Sequence, residues 1–412
     1  MVNRILVLFF CIHFFSGYNF AQNFSKIDST IQSEIDQKNI AGGVALIMHK
    51  GELVYDKAFG YADIKQQIPM TTSSIFRIAS QTKAIVSIAF LQLVDQHKIG
   101  LDDPIEKYIP TFKNQQVAQL QGDSIILVPK NRSITPRDLL SHQSGISSVD
   151  EFPQFSALYS KFNLNKSLNS DFINLEVEVN QIAKMPLVHQ PGARFSYGLS
   201  TNVIGRLVEL ISKQSLDVYL TEHIFKPLKM SDTYFYLPKD KQKRLVKLYS
   251  KFGKDSLMEL AVNEANVNYP LIEKHTYFSA IGGLVSTTHD YLKFLNCLLN
   301  DGKYANEKKL INKSILEIFW TNQLGDKTFI FGGIKSQNNF GLGVGITTKD
   351  GTKINNASIG SFFWGGAFNT AYMVDKKRKL ITLFYFQRTP FVLPPLLSKL
   401  EKMTINIIDK QY

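Results

Sequence analysis

Apolar positions along the chain fall into two-residue and three-to-four-residue periods in a definite order. Ile27, Ile31 and Ile35 recur at four-residue steps and predict an amphipathic helix. Gly43–Met48 and Leu53–Phe59 are strand-like runs, and His49-Lys50-Gly51-Glu52 between them reads as a hairpin turn. Ile85, Ile88, Phe90, Leu91 and Val94 then return to helical spacing, in a helix ending near Gly100. From about 101 to 265 the pattern is helix and loop, with a helix start at Thr135-Pro136-Arg137-Asp138 and a helix over Thr201–Ile211. Strand-type patterns resume after 280. The chain closes with a long strand, Leu380–Phe386, and a helix from Pro394 to about Ile408. Hairpins at both ends around a helical middle predict an α+β fold, with one antiparallel sheet built from both ends of the chain. The α/β part covers about 22–80 and 270–412, and the inserted helical part about 81–269.

Composition narrows the class. The 412 residues are 44% hydrophobic and 20% charged, ordinary for a globular protein. Residues 1–21 differ: Arg4 precedes an apolar run from Ile5 to Phe15, followed by Ser16, Gly17 and Ala21. This reads as a secretory signal peptide cut after Ala21, giving an exported chain, periplasmic or secreted. The apolar run is 11 residues long, too short to span a bilayer comfortably, although a retained anchor is the alternative reading. Phe10 before Cys11 is not small, which argues against a lipoprotein. The mature chain keeps one cysteine, Cys297, inside an apolar helical stretch, so it forms no internal disulfide and reads as a buried, inert thiol. The net charge of +12 is dispersed, and no nucleic-acid motif accompanies its densest cluster, Lys239 to Lys247. A nucleic-acid partner is not expected.

Candidate chemistry begins at Ser80, the one serine with a lysine three residues later, Lys83. At a helix start the two share a face. First-turn N–H groups lack intrahelical partners and can donate to an oxyanion. A partly desolvated lysine can lose its proton and activate the hydroxyl. An N-cap serine followed by a solvated lysine explains the quartet equally well on its own.

Two further segments carry chemistry. Pro191-Gly192-Ala193-Arg194-Phe195-Ser196-Tyr197 reads as a loop presenting Tyr197 just before a helix. Beside Lys83, a Tyr197 phenolate is favoured and serves as general base; a half-buried structural tyrosine is the plain alternative. Phe363-Trp364-Gly365-Gly366-Ala367 puts two glycines at a strand, where backbone can approach a ligand. The Ala367 N–H is a candidate second oxyanion donor with that of Ser80; a glycine bulge in a core strand is the alternative.

Taken together, these motifs resemble the serine β-lactamase and penicillin-binding-protein-like superfamily, in its class C and esterase branch. Phe76 to Ser80, Gly100-Leu101-Asp102-Asp103-Pro104, Ile134 to Gly145, Phe225 to Met230 and Gly282 to Thr287 continue the resemblance in family order, over roughly 30 to 390. It implies acyl transfer through a covalent intermediate on Ser80, with Lys83 as activator and Tyr197 as general base. It implies no cofactor and no metal, and His142 and His275 read as structural. Departures matter. Leu199 stands two residues after Tyr197 where an asparagine is usual, and Trp364 stands where lysine or histidine is usual. Tyr304-Ala305-Asn306 follows a turn, and Lys349-Asp350-Gly351 reads as a hairpin turn, so neither supplies the missing motif. A tryptophan cannot pair with a substrate carboxylate. With Leu199, Gly365 and Gly366 as its neighbours in the substrate site, it resembles the family VIII carboxylesterases and points to small or medium uncharged esters. A D-amino-acid peptidase or weak β-lactamase, with Arg388 as carboxylate anchor, is the second reading. A non-catalytic binding protein is the third.

Overall fold

Gly42–His49 (β1) is apolar along nearly its whole length and buried at every residue, so it needs cover on both faces. Its alternate side chains divide between two cores. Val44, Leu46 and Met48 enter the larger one; Ala45 and Ile47 enter the smaller. The computed structural model describes residues 24–147, 153–162, 174–253, 256–260, 268–271 and 276–411. The expected signal peptide, 1–21, and His275 lie outside these residues.

β1 is central in an eight-stranded sheet. The other strands are Glu52–Asp63 (β2), Ile68–Pro69 (β3), Asn339–Phe340 (β4), Gly345–Ile346 (β5), Phe362–Gly366 (β6), Thr370–Asp375 (β7) and Leu380–Phe386 (β8). Their order is β4-β5-β6-β7-β8-β1-β2-β3, antiparallel throughout. The β1–β8 seam, with Val44 opposite Tyr385 and Leu46 opposite Leu383, joins the two ends of the chain as expected.

Helices Ser25–Asp36 (α1) and Pro394–Gln411 (α5) cover the smaller core with Ile27, Ile31, Leu397, Leu400 and Ile405. Thr82–Asp95 (α2), Ser200–Ser212 (α3) and Thr288–Leu299 (α4) build the larger core on the opposite face. α2 is buried on every side from Thr82 to Leu93, which suits a helix apolar all round. Cys297, on α4, is buried, and burial pushes its thiol up to about 12, in keeping with an inert group.

Two local expectations need correction. The stretch read as helix and loop also contains a hairpin, Gln116–Gln121 with Ser124–Pro129. It leaves Leu120, Ile125 and Leu127 exposed, so it lacks the alternation of a half-buried strand. The Lys349-Asp350-Gly351 turn leads into a short helix, Thr352–Asn355, not into a second strand. Thr348 Oγ1 accepts from Gly351 N at 3.1 Å and closes that turn locally.

Candidate active site

Ser80 lies in a 3-10 turn, Ala79–Gln81, that runs directly into α2. Ala79 holds φ at +43°, a left-handed backbone that persists only where its surroundings fix it. Gln81 supplies that fixing. Tyr385 OH on β8 donates to its Oε1 at 2.6 Å, and Tyr291 OH on α4 donates to its carbonyl at 2.9 Å.

Lys83 is one turn further on and 2% exposed. Its Nζ donates to Ser80 Oγ at 3.2 Å and to Ile281 O at 2.7 Å. Burial lowers its ammonium from the ordinary lysine range to about 7. Near neutral pH a large fraction is therefore the free amine, whose lone pair can face Ser80 while an N–H holds Ile281. The same Nζ stands 4.7 Å from the centre of the Tyr197 ring.

The Tyr197 loop is fastened to the segment from His142 to Ser147. Ser196 N donates to His142 O at 2.7 Å, Gly192 N to Gln143 O at 2.8 Å, and Ser147 Oγ to Tyr197 O at 3.2 Å. The His142 ring packs 4.6 Å from that of Tyr197. Neither nitrogen of His142 has a hydrogen-bond partner among the described residues. Burial, and then the nearby Lys83, hold it well below the usual histidine range. His142 is thus a neutral packing surface behind Tyr197.

β6 closes the site. A Cβ on Gly366 would lie 2.4 Å from Ile78 O, so only glycine lets the strand pass this close to the Ser80 turn. Trp364 packs against Tyr197 at 5.6 Å, Phe331 at 5.8 Å and Phe340 at 5.0 Å between ring centres. Beyond Ala367, Asn369 ties down the next loop: its Nδ2 donates to Arg388 O and Pro390 O, and its Oδ1 accepts from Leu393 N.

Ser80, Tyr197, Trp364, Gly365, Gly366 and Ala367 line one cavity of about 400 Å³, and Lys83 touches it through Ser80 and Tyr197. Three distant stretches of sequence therefore converge. Leu199 does not join them. It is 5% exposed in the larger core, where its position just before α3 turns it into packing. Arg388 does not line the cavity either; its Nη1 donates to Asn39 O at 3.0 Å. Tyr304 sits in a separate two-strand hairpin with Lys308–Lys309.

Several lining residues were not found from sequence: Phe329, Phe331 and Ile334 from a small hairpin around Gly332-Gly333, Phe391 after β8, and Asn355 with Glu401. The Phe-Ile-Phe-Gly-Gly-Ile run at 329–334 carries a hairpin pattern that could have located the first three.

The chain is similar to known proteins over most of its length. The family model described as Beta-lactamase matches residues 27–396. Protein Rv1367c of Mycobacterium tuberculosis (strain ATCC 25618 / H37Rv) is 29% identical, over 88% of this chain and 89% of that protein. Acyltransferase calJ of Penicillium decumbens is 26% identical, over 83% of this chain and 82% of its own. Esterase EstB of Burkholderia gladioli is 28% identical over 51% of each. Among solved structures, EstCE1, a hydrolase with promiscuous acyltransferase activity, has a TM-score of 0.78 at 20% identity, covering 94% of this chain and 99% of its own. Simvastatin synthase LovD of Aspergillus terreus has a TM-score of 0.78 at 22% identity, covering 95% and 99%. These two structures share the fold.

Proposed function

This chain belongs to the Beta-lactamase family of serine hydrolases, and we propose that within it the protein is a carboxylesterase acting on small or medium esters through an acyl-enzyme. The neutral Lys83 amine takes the proton of Ser80 Oγ as that oxygen attacks the ester carbonyl carbon. The N–H groups of Ser80 and Ala367 receive the charge on the carbonyl oxygen. Collapse breaks the bond to the alcohol oxygen, which takes the proton that Lys83 received and leaves as the alcohol, restoring the free amine. Water then attacks the acyl carbon as Tyr197 takes its proton and passes its own to the free Lys83 amine, and that proton returns to Ser80 Oγ as the acid leaves.

One observation carries the choice of substrate. The cavity is walled by Trp364, Phe329, Phe331, Phe363 and Phe391, and among the described residues no lysine or arginine lines it. A penicillin or a D-alanyl peptide would bring its carboxylate among aromatic walls that, apart from Lys83 behind Ser80, present no cation among the described residues. An uncharged ester suits these walls.

The test compares p-nitrophenyl esters of increasing acyl length with nitrocefin and with D-alanine release from a muropeptide. Efficient nitrocefin or muropeptide turnover beside untouched esters overturns the reading. A fluorophosphonate adduct on Ser80, absent in Ser80→Ala, separates an enzyme from a binding protein. Export is part of the same proposal, supported by the pattern at 1–21; N-terminal sequencing of the mature protein tests it.

A further inference from the structure

The wall of the cavity also carries a carboxyl group that this ester chemistry does not use. Glu401, on α5, lines the same cavity as Ser80 and is 8% exposed. Asn355 Nδ2 donates to its Oε2 at 2.6 Å. Asn355 is itself fixed, because its Oδ1 accepts from Ala357 N at 3.1 Å. Glu401 Oε1 makes no hydrogen bond among the described residues. Phe363, Ala371, Phe391 and Leu397 line the same cavity, and Ser398, one helical turn before Glu401, also lines it without a hydrogen bond to the carboxyl among the described residues. Enclosing a carboxyl this way without a second partner is costly. Among the described residues it is also the one acidic side chain that lines the cavity.

We propose that Glu401 and Asn355 form a subsite that accepts a hydrogen-bond donor, a hydroxyl or an ammonium, on the end of the ester remote from its carbonyl. This rests on the esterase reading of Ser80. The apolar walls take the intervening methylene chain, and Oε1 takes the donor. An ammonium gains more than a hydroxyl when Glu401 is ionised, because the charge pair forms away from bulk water. Asn355 positions the carboxyl and leaves Oε1 directed to the ligand.

Two matched ester series test this on the full chain. One varies the acid: p-nitrophenyl hexanoate, ω-hydroxyhexanoate and ω-aminohexanoate. The other varies the alcohol: butyrates of hexanol, hexanediol and ω-aminohexanol. In at least one series, kcat/KM for a donor-terminated ester is expected to exceed that of its methyl-terminated partner by about tenfold or more. Glu401→Leu removes that preference. Glu401→Gln keeps the shape, but its one amide oxygen takes the Asn355 donor and its Nε2 faces the cavity. It therefore still holds a hydroxyl, now by donating to it, and loses the ammonium preference. Wild-type ratios retained by both variants, or no donor preference in either series, overturn the subsite and leave Glu401 as a helix-packing group. Wild-type hydrolysis of p-nitrophenyl acetate, lost in Ser80→Ala, reports on the esterase reading separately. If that hydrolysis is absent, quenching of tryptophan fluorescence by ω-aminohexanol against hexanol, in wild type and Glu401→Gln, still decides the subsite.

Discussion

Asn202 and Lys83 hold opposite ends of one backbone residue. Ile281 N donates to Asn202 Oδ1 at 3.1 Å, and Ile281 O accepts from Lys83 Nζ at 2.7 Å. Behind them, Asn202 Nδ2 donates to Glu178 Oε2 at 2.7 Å, and Tyr277 OH donates to the same oxygen at 2.7 Å. Asn202 and Glu178 are fully buried. A polar chain thus runs from the core to the amine beside Ser80, and each link fixes the next.

Asn202→Ala cuts that chain at its middle. It leaves Ile281 N unpaired and removes one of the two donors to Glu178. The expected cost is about 1–3 kcal/mol of stability, read by urea denaturation. Because Ile281 O then loses its fixed position, kcat should also fall by roughly tenfold to a hundredfold in protein that remains folded. A folded variant with wild-type kcat would show that Lys83 needs no such support.

In the proposed mechanism Lys83 sets the pH dependence of the first chemical step. Only the free amine can take the proton from Ser80, and burial places its midpoint at about 7. The acid limb of kcat/KM should therefore rise with pH through about 7. Lys83→Arg keeps the charge and cannot shed it, so its activity should drop by roughly a hundredfold to ten-thousandfold. An acid limb centred near the ordinary carboxylate range, in the wild-type enzyme, would assign the titration to another group.

How much of this could be read in advance depended on whether each signal was local. The β1–β2 hairpin, α1, β8 and α5 declare themselves through apolar spacing, and all stand close to their expected places. Ser80, Tyr197 and Trp364 were legible because their flanking residues form motifs, and the sheet brings them to one cavity. Leu199 misled because spacing from Tyr197 says nothing of which way a residue turns at a helix start. Glu401 gave no sign, since a glutamate on an amphipathic helix reads as solvated. Only the packing of α5 beside β6 and β7 shows that it is buried.

Gly366→Ala tests how closely the third segment must approach the nucleophile. The added methyl would meet Ile78 O at 2.4 Å and Thr370 Oγ1 at 2.6 Å. Ile78 O is backbone, two residues before Ser80, so relief requires β6 or the Ser80 turn to move. A shift of that kind misplaces the Ala367 N–H relative to Ser80, and removing one oxyanion donor typically costs about 10²–10³ in kcat. The variant is expected to lose about that much activity while fluorophosphonate still labels Ser80 slowly. Unchanged kcat would mean that Ala367 does not serve the oxyanion.

Phe331→Ala separates substrate packing from stability. Phe331 is 38% exposed, yet its ring lies 5.1 Å from Tyr197 and 5.8 Å from Trp364 at the cavity wall. Truncation should raise KM for longer acyl esters by several-fold, in keeping with about 1–2 kcal/mol of lost apolar contact, with little change in melting temperature. Equal effects on acetyl and hexanoyl esters would place the acyl chain elsewhere.

Glu178 should make stability fall with rising pH over a defined window. Burial raises its carboxyl from 4.5 to about 8, against the pull of its two hydrogen-bond donors. Between those values the folded chain holds a proton that the unfolded chain has released, so each step up in pH favours unfolding. Lys83 acts in the opposite sense, because the folded amine sheds its proton near 7 and the unfolded one near 10.5. Glu401, raised to about 7, adds to the Glu178 trend below neutrality. Comparing Glu178→Gln with wild type cancels both contributions. The variant's stability relative to wild type should climb steadily from pH 4.5 to about 8 and then level off. A difference that stays constant across that range, measured by thermal melts at matched ionic strength, would mean that Glu178 titrates alike in the folded and unfolded chains.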